Sequence, residues 1–188
     1  MNIVIRKAKP EEAEIITDIN IEVWNTTYKN LIPQETIDIL QEKTEERVQK
    51  KKKSIEEKNN TIVAEVDGEI VGFNTFGEAR DKEYAGSGEI YAGYILDSYQ
   101  GLGLGRQMAI ECMKELLDEG YTTFVTKCLD GNPSNEFHKA MGGVFVGQSD
   151  FDPLGIHVGK ENIYFHEDLE KTLNYNIEKM NQKKTKKK

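Results

Sequence analysis

The residues best suited to chemistry form a glycine-rich stretch near the middle of the chain, Gln100-Gly101-Leu102-Gly103-Leu104-Gly105-Arg106. Strand-like sequence precedes this stretch and helix-like sequence follows it. Glycines let backbone N–H groups come close to an anion, and the first turn of a helix adds its positive end. The stretch therefore predicts a cradle for a phosphate group.

Two common nucleotide-binding motifs do not fit this stretch. A Walker A loop needs GxxxxGK followed by Ser or Thr, and the sequence contains no such string. The dinucleotide pattern GxGxxG also fails, because its third glycine position holds Arg106 when the pattern starts at Gly101, and Met108 when it starts at Gly103. What remains is Gln-x-x-Gly-x-Gly, which begins at Gln100.

This pattern, placed between a strand and a helix, resembles the signature of the GNAT superfamily, the acyl-CoA N-acyltransferases. Segments on both sides strengthen the resemblance. They are Tyr94–Gln100, which resembles the end of the family's fourth strand, and Asn132-Pro133-Ser134 with Phe137-His138 and Gly142-Gly143, which resemble its second motif. The likeness covers the order of elements from Asn2 to about Leu169. A glycine-rich turn without a ligand is the alternative.

The resemblance implies acetyl-CoA as co-substrate and assigns its contacts by position. The amides of Gln100–Arg106 would hold the diphosphate, and the backbone of Ile95 and Leu96 would pair with the pantetheine arm like an added strand. Asn132 matches an asparagine that hydrogen-bonds near the pantetheine. Its alternative role is to cap the helix that begins at Pro133.

The resemblance also assigns the proton transfers of acyl transfer to an amine, in which the amine loses a proton and the departing thiolate gains one. Glu89 matches the family's general base, with a solvated surface position as the alternative. His138 stands where the family usually has a tyrosine acid. An imidazolium can protonate a thiolate, but a packing role for His138 and unassisted departure of the thiolate stay open. Substitute donors are Tyr91, Tyr94 and Tyr164.

The acceptor is the least specified part of this hypothesis. In the family, the first two helices and the last strands shape the acceptor site, so Trp24 and Tyr28, one helical turn apart, are expected to wall it. Core packing is the alternative for Trp24. Cys112 lies on an apolar helix stripe and Cys128 has no histidine nearby in the sequence, which disfavours an acyl-cysteine route and favours direct attack in a ternary complex.

Charge bears on the partners of the protein. The chain has 25 Lys and Arg against 33 Asp and Glu, a net charge of −8. An acidic body disfavours nucleic acid, which needs a basic face, and favours a small cationic amine, although other primary amines stay open. A non-catalytic acyl-CoA sensor or scaffold is the alternative function, and a homodimer is possible.

Length and composition place the protein in a broad class. A chain of 188 residues suits one domain, here divided into a GNAT-type domain over 1–168 and a C-terminal helix with a lysine-rich tail over 169–188. No run reaches the ~18 apolar residues of a membrane span. Two cysteines and three scattered histidines indicate neither a disulfide framework nor a zinc signature, so a cytoplasmic protein without a metal is expected.

The pattern of elements predicts an α/β fold: a mixed, mostly antiparallel sheet of six to seven strands flanked by helices. The resemblance implies that the sheet splits after the fourth strand. A strand over Glu89–Leu96, a helix over Gly103–Glu119 and a strand over Thr122–Lys127 form a right-handed parallel unit. Gly93 is either a bulge that opens the split or a glycine needed for close packing. A charged helical stretch over Gln34–Lys58 is expected to lie on the surface as a lid.

Overall fold

Seven strands and six helices make up the fold in the computed structural model, which describes residues 1–185. The strands are β1 (Ile3–Lys7), β2 (Thr61–Val66), β3 (Glu69–Glu78), β4 (Gly88–Ile95), β5 (Phe124–Leu129), β6 (Val144–Phe151) and β7 (Gly159–His166). The helices are α1 (Ala13–Thr26), α2 (Gln34–Glu42), α3 (Thr44–Lys58), α4 (Leu104–Asp118), α5 (Asn135–Ala140) and α6 (Leu169–Thr185).

The strands form one sheet in the order β1-β2-β3-β4-β5-β7-β6. Every neighbouring pair is antiparallel except β4 and β5, which are parallel and joined through α4. Asp67 and Gly68 link β2 to β3 with positive φ values of 52° and 93°, as a tight two-residue hairpin turn requires. The predicted α/β fold with a mostly antiparallel sheet is confirmed.

The sheet opens between its fourth and fifth strands. β4 and β5 are paired only where Gly88–Ile90 runs beside Phe124–Thr126, and the remainder of each strand diverges from the other. Gly93 is exposed although β4 lies at the centre of the sheet. The predicted split after the fourth strand is therefore present, and it leaves one edge of β4 unpaired over about half of its length.

A β-bulge lies in β4, but not at the predicted residue. Thr75 of β3 is opposite Ala92 and the next residue, Phe76, is opposite Ile90, so Tyr91 is the extra residue. Such a bulge disrupts the ladder and increases the local twist. The prediction of a bulge at Gly93 was wrong.

Gly93 instead serves close packing. A Cβ atom built at this position would lie 2.7 Å from Oδ1 of Asn74. The bulge also reverses the side-chain alternation, so Glu89 does not share a face of the sheet with Gly93 and Ile95. Ile95 packs on the α4 side of the sheet, whereas Glu89 lies on the α1 side together with Tyr94.

The two faces of the sheet are covered by different helices. α4 and α6 cover one face, where α4 buries the stripe Leu104, Met108, Cys112, Met113 and Leu116. α1 and α3 cover the other face. The predicted stretch Gln34–Lys58 is two helices that meet at Lys43, and its residues Ile37, Leu40 and Ile55 are buried, so it is part of the packed body rather than a surface lid.

The C-terminal helix α6 belongs to the same packed body. Leu169 and Leu173 join the core on the α4 side, and the Arg106 guanidinium donates to Oδ1 of Asn176. The last three residues of the predicted lysine tail lie outside the described residues, and the division at residue 168 stays a prediction. Over residues 1–185, none of the helices combines the length and apolarity that crossing a membrane requires.

A buried histidine on β7 couples the fold to pH. His166 is 2% exposed, stacks on Phe124 with ring centroids 3.9 Å apart, and has no hydrogen-bond partner at either ring nitrogen among the described residues. Burial, with a smaller effect of nearby His138, lowers the pKa of His166 to about 3. The folded state therefore resists protonation of this ring.

Because the folded pKa lies below the unfolded value near ~6.5, the unfolded state takes up the proton first as the pH falls. Stability is retained above pH ~6.5 and lost toward pH ~3. Between pH 7.5 and pH 5, His166 is expected to lower the unfolding free energy of the wild type by ~2 kcal/mol. His166→Phe should abolish this part of the decrease. Urea denaturation at both pH values measures this, with exposed His157→Gln as the control. An unchanged pH dependence in His166→Phe would contradict the prediction.

Candidate functional site

The glycine-rich loop lies at the mouth of the cleft between β4 and β5 and leads into the first turn of α4. Gly101 and Gly103 have φ values of 77° and 83°, in the left-handed region that favours glycine. A Cβ atom added to either residue would meet nothing within 4 Å, so the space in front of the loop is open. The first N–H groups of α4 have no partner within the helix, which gives the predicted anion cradle its donors.

Side chains of the loop fix its position rather than face the cradle. Leu104 is buried in the core. Arg106 donates to Asn176 and to the carbonyl of Ala140 at 3.2 Å. The Gln100 amide donates to the Ile95 carbonyl at 3.3 Å and to Oδ1 of Asp97 at 2.9 Å, which ties the loop to the end of β4. These three side chains hold the backbone amides in place.

Three elements converge at Gly105. A Cβ atom at this residue would lie 3.4 Å from Cδ1 of Ile95 on β4 and 3.5 Å from Cζ of Phe137 on α5. Leu102 and Phe137 are both more than a third exposed and give the mouth an apolar rim. The start of α4, the end of β4 and α5 therefore bound one narrow entrance.

Asn132 lies in the turn before α5, which begins at Asn135 and not at Pro133 as predicted. Its Oδ1 accepts the Ser134 N–H at 2.8 Å and orders the turn before α5. Its Nδ2 is buried and makes no hydrogen bond of good geometry among the described residues, although the side chain lies close enough to the Tyr28 hydroxyl to offset part of the rise in the pKa of that phenol. An unsatisfied buried donor is costly, so this nitrogen, together with the open glycine cradle, fits a ligand that carries both amide carbonyls and phosphates.

Glu89 is buried and paired with Arg80. One carboxylate oxygen accepts the Arg80 backbone N–H at 2.8 Å, and the other accepts the Arg80 Nε–H at 3.1 Å. The guanidinium also stacks over the Tyr91 ring at 4.6 Å. The alternative of a solvated surface position for Glu89 was wrong. Sequence analysis did not identify Arg80, because the turn between β3 and β4 brings this residue to Glu89 only in the folded sheet.

A second ion cluster adjoins this pair on the same face of the sheet. Lys127 of β5 donates to Oδ2 of Asp81 at 2.7 Å, to Oε1 of Glu161 at 2.9 Å and to Oγ of Ser149 at 3.2 Å. Burial alone would lower the pKa of Lys127, but the bonds to the two carboxylates raise it overall. The cluster connects β5, β6 and β7 to the segment that follows β3.

His138 lies on the α5 side, at the point where the sheet splits. Its Nδ1 is 2.9 Å from Oγ1 of Thr126, the residue opposite Ile90 in the last pair before β4 and β5 diverge. Its ring stacks on Tyr164. Burial lowers the pKa of His138 to about 4. The ring is therefore neutral at neutral pH, so the imidazolium that the sequence suggested is not the resting form.

Aromatic rings form a wall on the α1 side of the cleft. Trp24 and Tyr28 stack with centroids 5.3 Å apart, and Trp24 also contacts Phe151. The Trp24 Nε1–H donates to the Tyr94 hydroxyl at 3.1 Å. Burial raises the pKa values of Tyr28 and Tyr94, so both phenols stay protonated. The structure thus brings both residues predicted to wall the acceptor site to the central strand.

Neither cysteine is available as a nucleophile. Cys112 and Cys128 are free and buried. Burial raises the pKa of Cys128 to about 12 and raises that of Cys112 further. Because the thiolate is the reactive form, the structure offers no activated sulfur for an acyl-enzyme.

Comparison with known proteins identifies a family and a curated relative. The sequence model described as the acetyltransferase (GNAT) family matches residues 21–142, more than half of the chain. A curated relative, the uncharacterized N-acetyltransferase YuaI of Bacillus subtilis (strain 168), is 29% identical over 156 residues, which cover 83% of this chain and 88% of that protein.

Solved structures of similar fold include two with bound nucleotide cofactor. PaiA N-acetyltransferase from Thermoplasma acidophilum, in complex with coenzyme A, aligns with a TM-score of 0.67 and 20% identity over 88% of this chain and 98% of that one. The putative acetyltransferase yncA from Salmonella typhimurium, with acetyl-CoA, aligns with a TM-score of 0.66 and 21% identity over 90% and 95% of the two chains. At these identities the likeness concerns the fold.

Proposed function

Because the chain belongs to the GNAT family of acetyltransferases, we propose that it moves the acetyl group of acetyl-CoA to a small primary amine by direct attack in a ternary complex. The observation that carries this proposal is the split between β4 and β5 with an open glycine cradle at its mouth. In this reaction acetyl-CoA supplies an activated thioester. The chain's own residues bind it, orient the amine and move protons.

Binding of the co-substrate follows from the donors around the cleft. The amides of Gln100–Arg106 hold the diphosphate, since the loop is open and ends at a helix N-terminus. The open edge of β4 at Ile95 receives the pantetheine arm. Leu96 only borders that edge, because its N–H donates to the Val71 carbonyl at 3.0 Å and its carbonyl accepts the Tyr99 N–H at 2.9 Å. Asn132 donates its unused Nδ2–H to a carbonyl of that arm.

The acceptor reaches the cleft from the α1 side. α4 and α5 stand on the opposite side and surround the glycine cradle, so the acceptor approaches β4 on the α1 side, past the end of α1. There Trp24 and Tyr28 wall the acceptor. The amine nitrogen forms the new bond to the acetyl carbon, the carbon–sulfur bond breaks, and the amine proton passes through solvent to Glu89. The neutral His138 ring has no acidic proton to give, so the thiolate takes its proton from water.

Direct attack is supported by the state of the cysteines. A route through an acyl-cysteine needs a thiolate, and burial keeps the Cys128 thiol protonated at neutral pH. A second candidate function, a non-catalytic acyl-CoA sensor, is favoured by the engaged Glu89 carboxylate and the neutral His138 ring. Release of free CoA in the presence of a panel of amines separates the two functions.

Other expectations stay predictions at this stage. They are a cytoplasmic location, a reaction without a metal, no binding to nucleic acid or membrane, and a possible homodimer.

Acetyl-CoA binding should depend on the charge in front of the glycine cradle. Gly103→Asp is expected to weaken binding at least tenfold, because Asp tolerates the left-handed backbone but places a carboxylate where the diphosphate binds. Isothermal titration calorimetry measures the affinity. Gly120→Asp, at φ 91° after α4 and also without neighbours within 4 Å, is the matched control. Equal binding by both variants would contradict a cradle at this loop.

The Glu89–Arg80 pair allows the base role to be separated from a structural role. Glu89→Gln is expected to lower kcat by ~10²–10⁴-fold if the carboxylate receives the amine proton. Arg80→Gln disturbs the same pair but leaves the carboxylate, so it is expected to retain most activity. Thermal denaturation of both variants controls for folding. A loss below about tenfold in Glu89→Gln, or equal losses in both variants, would make Glu89 a structural partner of Arg80.

The lowered pKa of His138 determines the pH range in which protonation of this ring can affect the rate. An imidazolium with a pKa of about 4 loses its proton near that pH, so His138 is expected to add no alkaline limb between pH 6 and 8. His138→Phe should lower kcat less than tenfold in that range and leave acetyl-CoA affinity unchanged. pH–rate profiles of the wild type and this variant with one amine test this. A decrease in rate above pH 6.5 that is absent in His138→Phe would show instead that an imidazolium at His138 acts as the acid.

A further inference from the structure

Two partly buried cations on α3 have only neutral hydrogen-bond partners. Arg47 donates to Oδ1 of Asn20 and to the Leu40 carbonyl at 3.4 Å. Lys51, one helical turn later, donates to Oγ1 of Thr75 at 3.0 Å. Among the described residues, no carboxylate lies within 4.0 Å of either charge.

Both charges lie on the α1 side of the sheet, beside the central strand β4. Thr75, the partner of Lys51, is directly opposite Ala92 on β4. The Lys51 ammonium also lies 5.2 Å from the centroid of the Phe73 ring. Arg47 lies close enough to the Tyr94 hydroxyl for the guanidinium charge to affect the pKa of that phenol. Lys51 therefore lies against β3, the neighbour of β4, and Arg47 lies beside Tyr94 at the aromatic wall.

Burial makes these unpaired charges costly. Burial and the neighbouring Arg47 lower the pKa of Lys51 to about 8, and burial also lowers the pKa of Arg47. The other cations on this face are already satisfied, because Arg80 is paired with Glu89, and Lys127 with Asp81 and Glu161. Arg47 and Lys51 are thus partly buried cations that have hydrogen-bond partners but, among the described residues, no carboxylate to balance their charge.

We propose that Arg47 and Lys51 bind an anionic group of the acceptor, so that the acceptor is an amine that also carries a carboxylate or a phosphate. This inference rests on the proposed function and names its substrate class. It replaces the small cationic amine expected from the net charge, since a polyamine would place further positive charge beside two unpaired cations. The pair acts on affinity for the acceptor and not on the chemical step.

Matched acceptors test the inference. L-amino acids are compared with their primary amides, and phosphoethanolamine with ethanolamine, so that each pair differs in the anionic group. We expect kcat/KM to be at least tenfold higher for the anionic member of one pair, and the identity of that pair distinguishes carboxylate from phosphate. Lys51→Met should remove this preference chiefly through KM, and Lys51→Arg should retain it.

Controls separate charge recognition from folding. Exposed Lys52, on the same helix, gives the matched variant Lys52→Met, for which we expect no change in preference. Acetyl-CoA affinity should be the same in all variants. Because Lys51 loses its charge near pH 8, KM for the anionic acceptor should rise above that pH in the wild type but not in Lys51→Arg.

The failures of the two proposals are distinguishable. Turnover of amides or polyamines without preference for anionic amines would overturn this inference and leave acetyl transfer standing. An absence of CoA release with every amine would overturn the proposed function. In that case calorimetry with N-acetylated amino acids and N-acetylphosphoethanolamine, in the presence of CoA, still decides the inference: weaker binding to Lys51→Met supports it, and no binding or equal binding overturns it.

Discussion

Loss of pairing between β4 and β5 after three residues is the constraint on which the site depends. The unpaired edge of β4 carries backbone groups that need partners, and Gly93 is exposed there at the centre of the sheet. α4 is the crossover between the two strands, so its N-terminus and the glycine loop must stand at the mouth of the opening. α5 follows β5 and closes the same mouth through Phe137. The loss of pairing thus brings the glycine cradle next to the open edge of β4, where an extended ligand can pair, without a separate binding domain.

The bulge at Tyr91 decides which side chains reach which side of this opening. Without the extra residue, Glu89 would share a face with Ile95 and point toward α4. With it, Glu89 lies on the α1 side, beside Arg80 and toward the aromatic wall that includes Tyr94. The carboxylate is thereby placed on the side from which we propose that the amine arrives, while α4 occupies the side of the cradle.

Much of the fold could be predicted from the sequence because its signals are local. The Asp67-Gly68 turn, the apolar stripe of α4 and the glycines of the loop each depend on neighbours in the chain, and the order of elements then fixes the parallel pair. The bulge could not be predicted from the sequence. Tyr91 is the extra residue because of the way β4 pairs with β3, and its own residue type does not indicate this. For the same reason, the Arg80 partner of Glu89 and the burial that neutralises His138 depend on contacts made only in the folded sheet.

Net charge and local charge indicate different acceptors, because the net charge averages over charges that the site does not experience. Exposed charges separated by more than about 8–10 Å are screened at physiological salt, so the excess of carboxylates over the whole surface has little effect at β4. The carboxylates that do face the α1 side, Glu89 and Glu161 among them, are bonded to cations. Arg47 and Lys51 are the charges without such partners in the described part of this face, and they are partly desolvated. In the acceptor site that we propose, a few unpaired charges near the reacting strand would therefore outweigh the total charge of the chain in selecting a ligand.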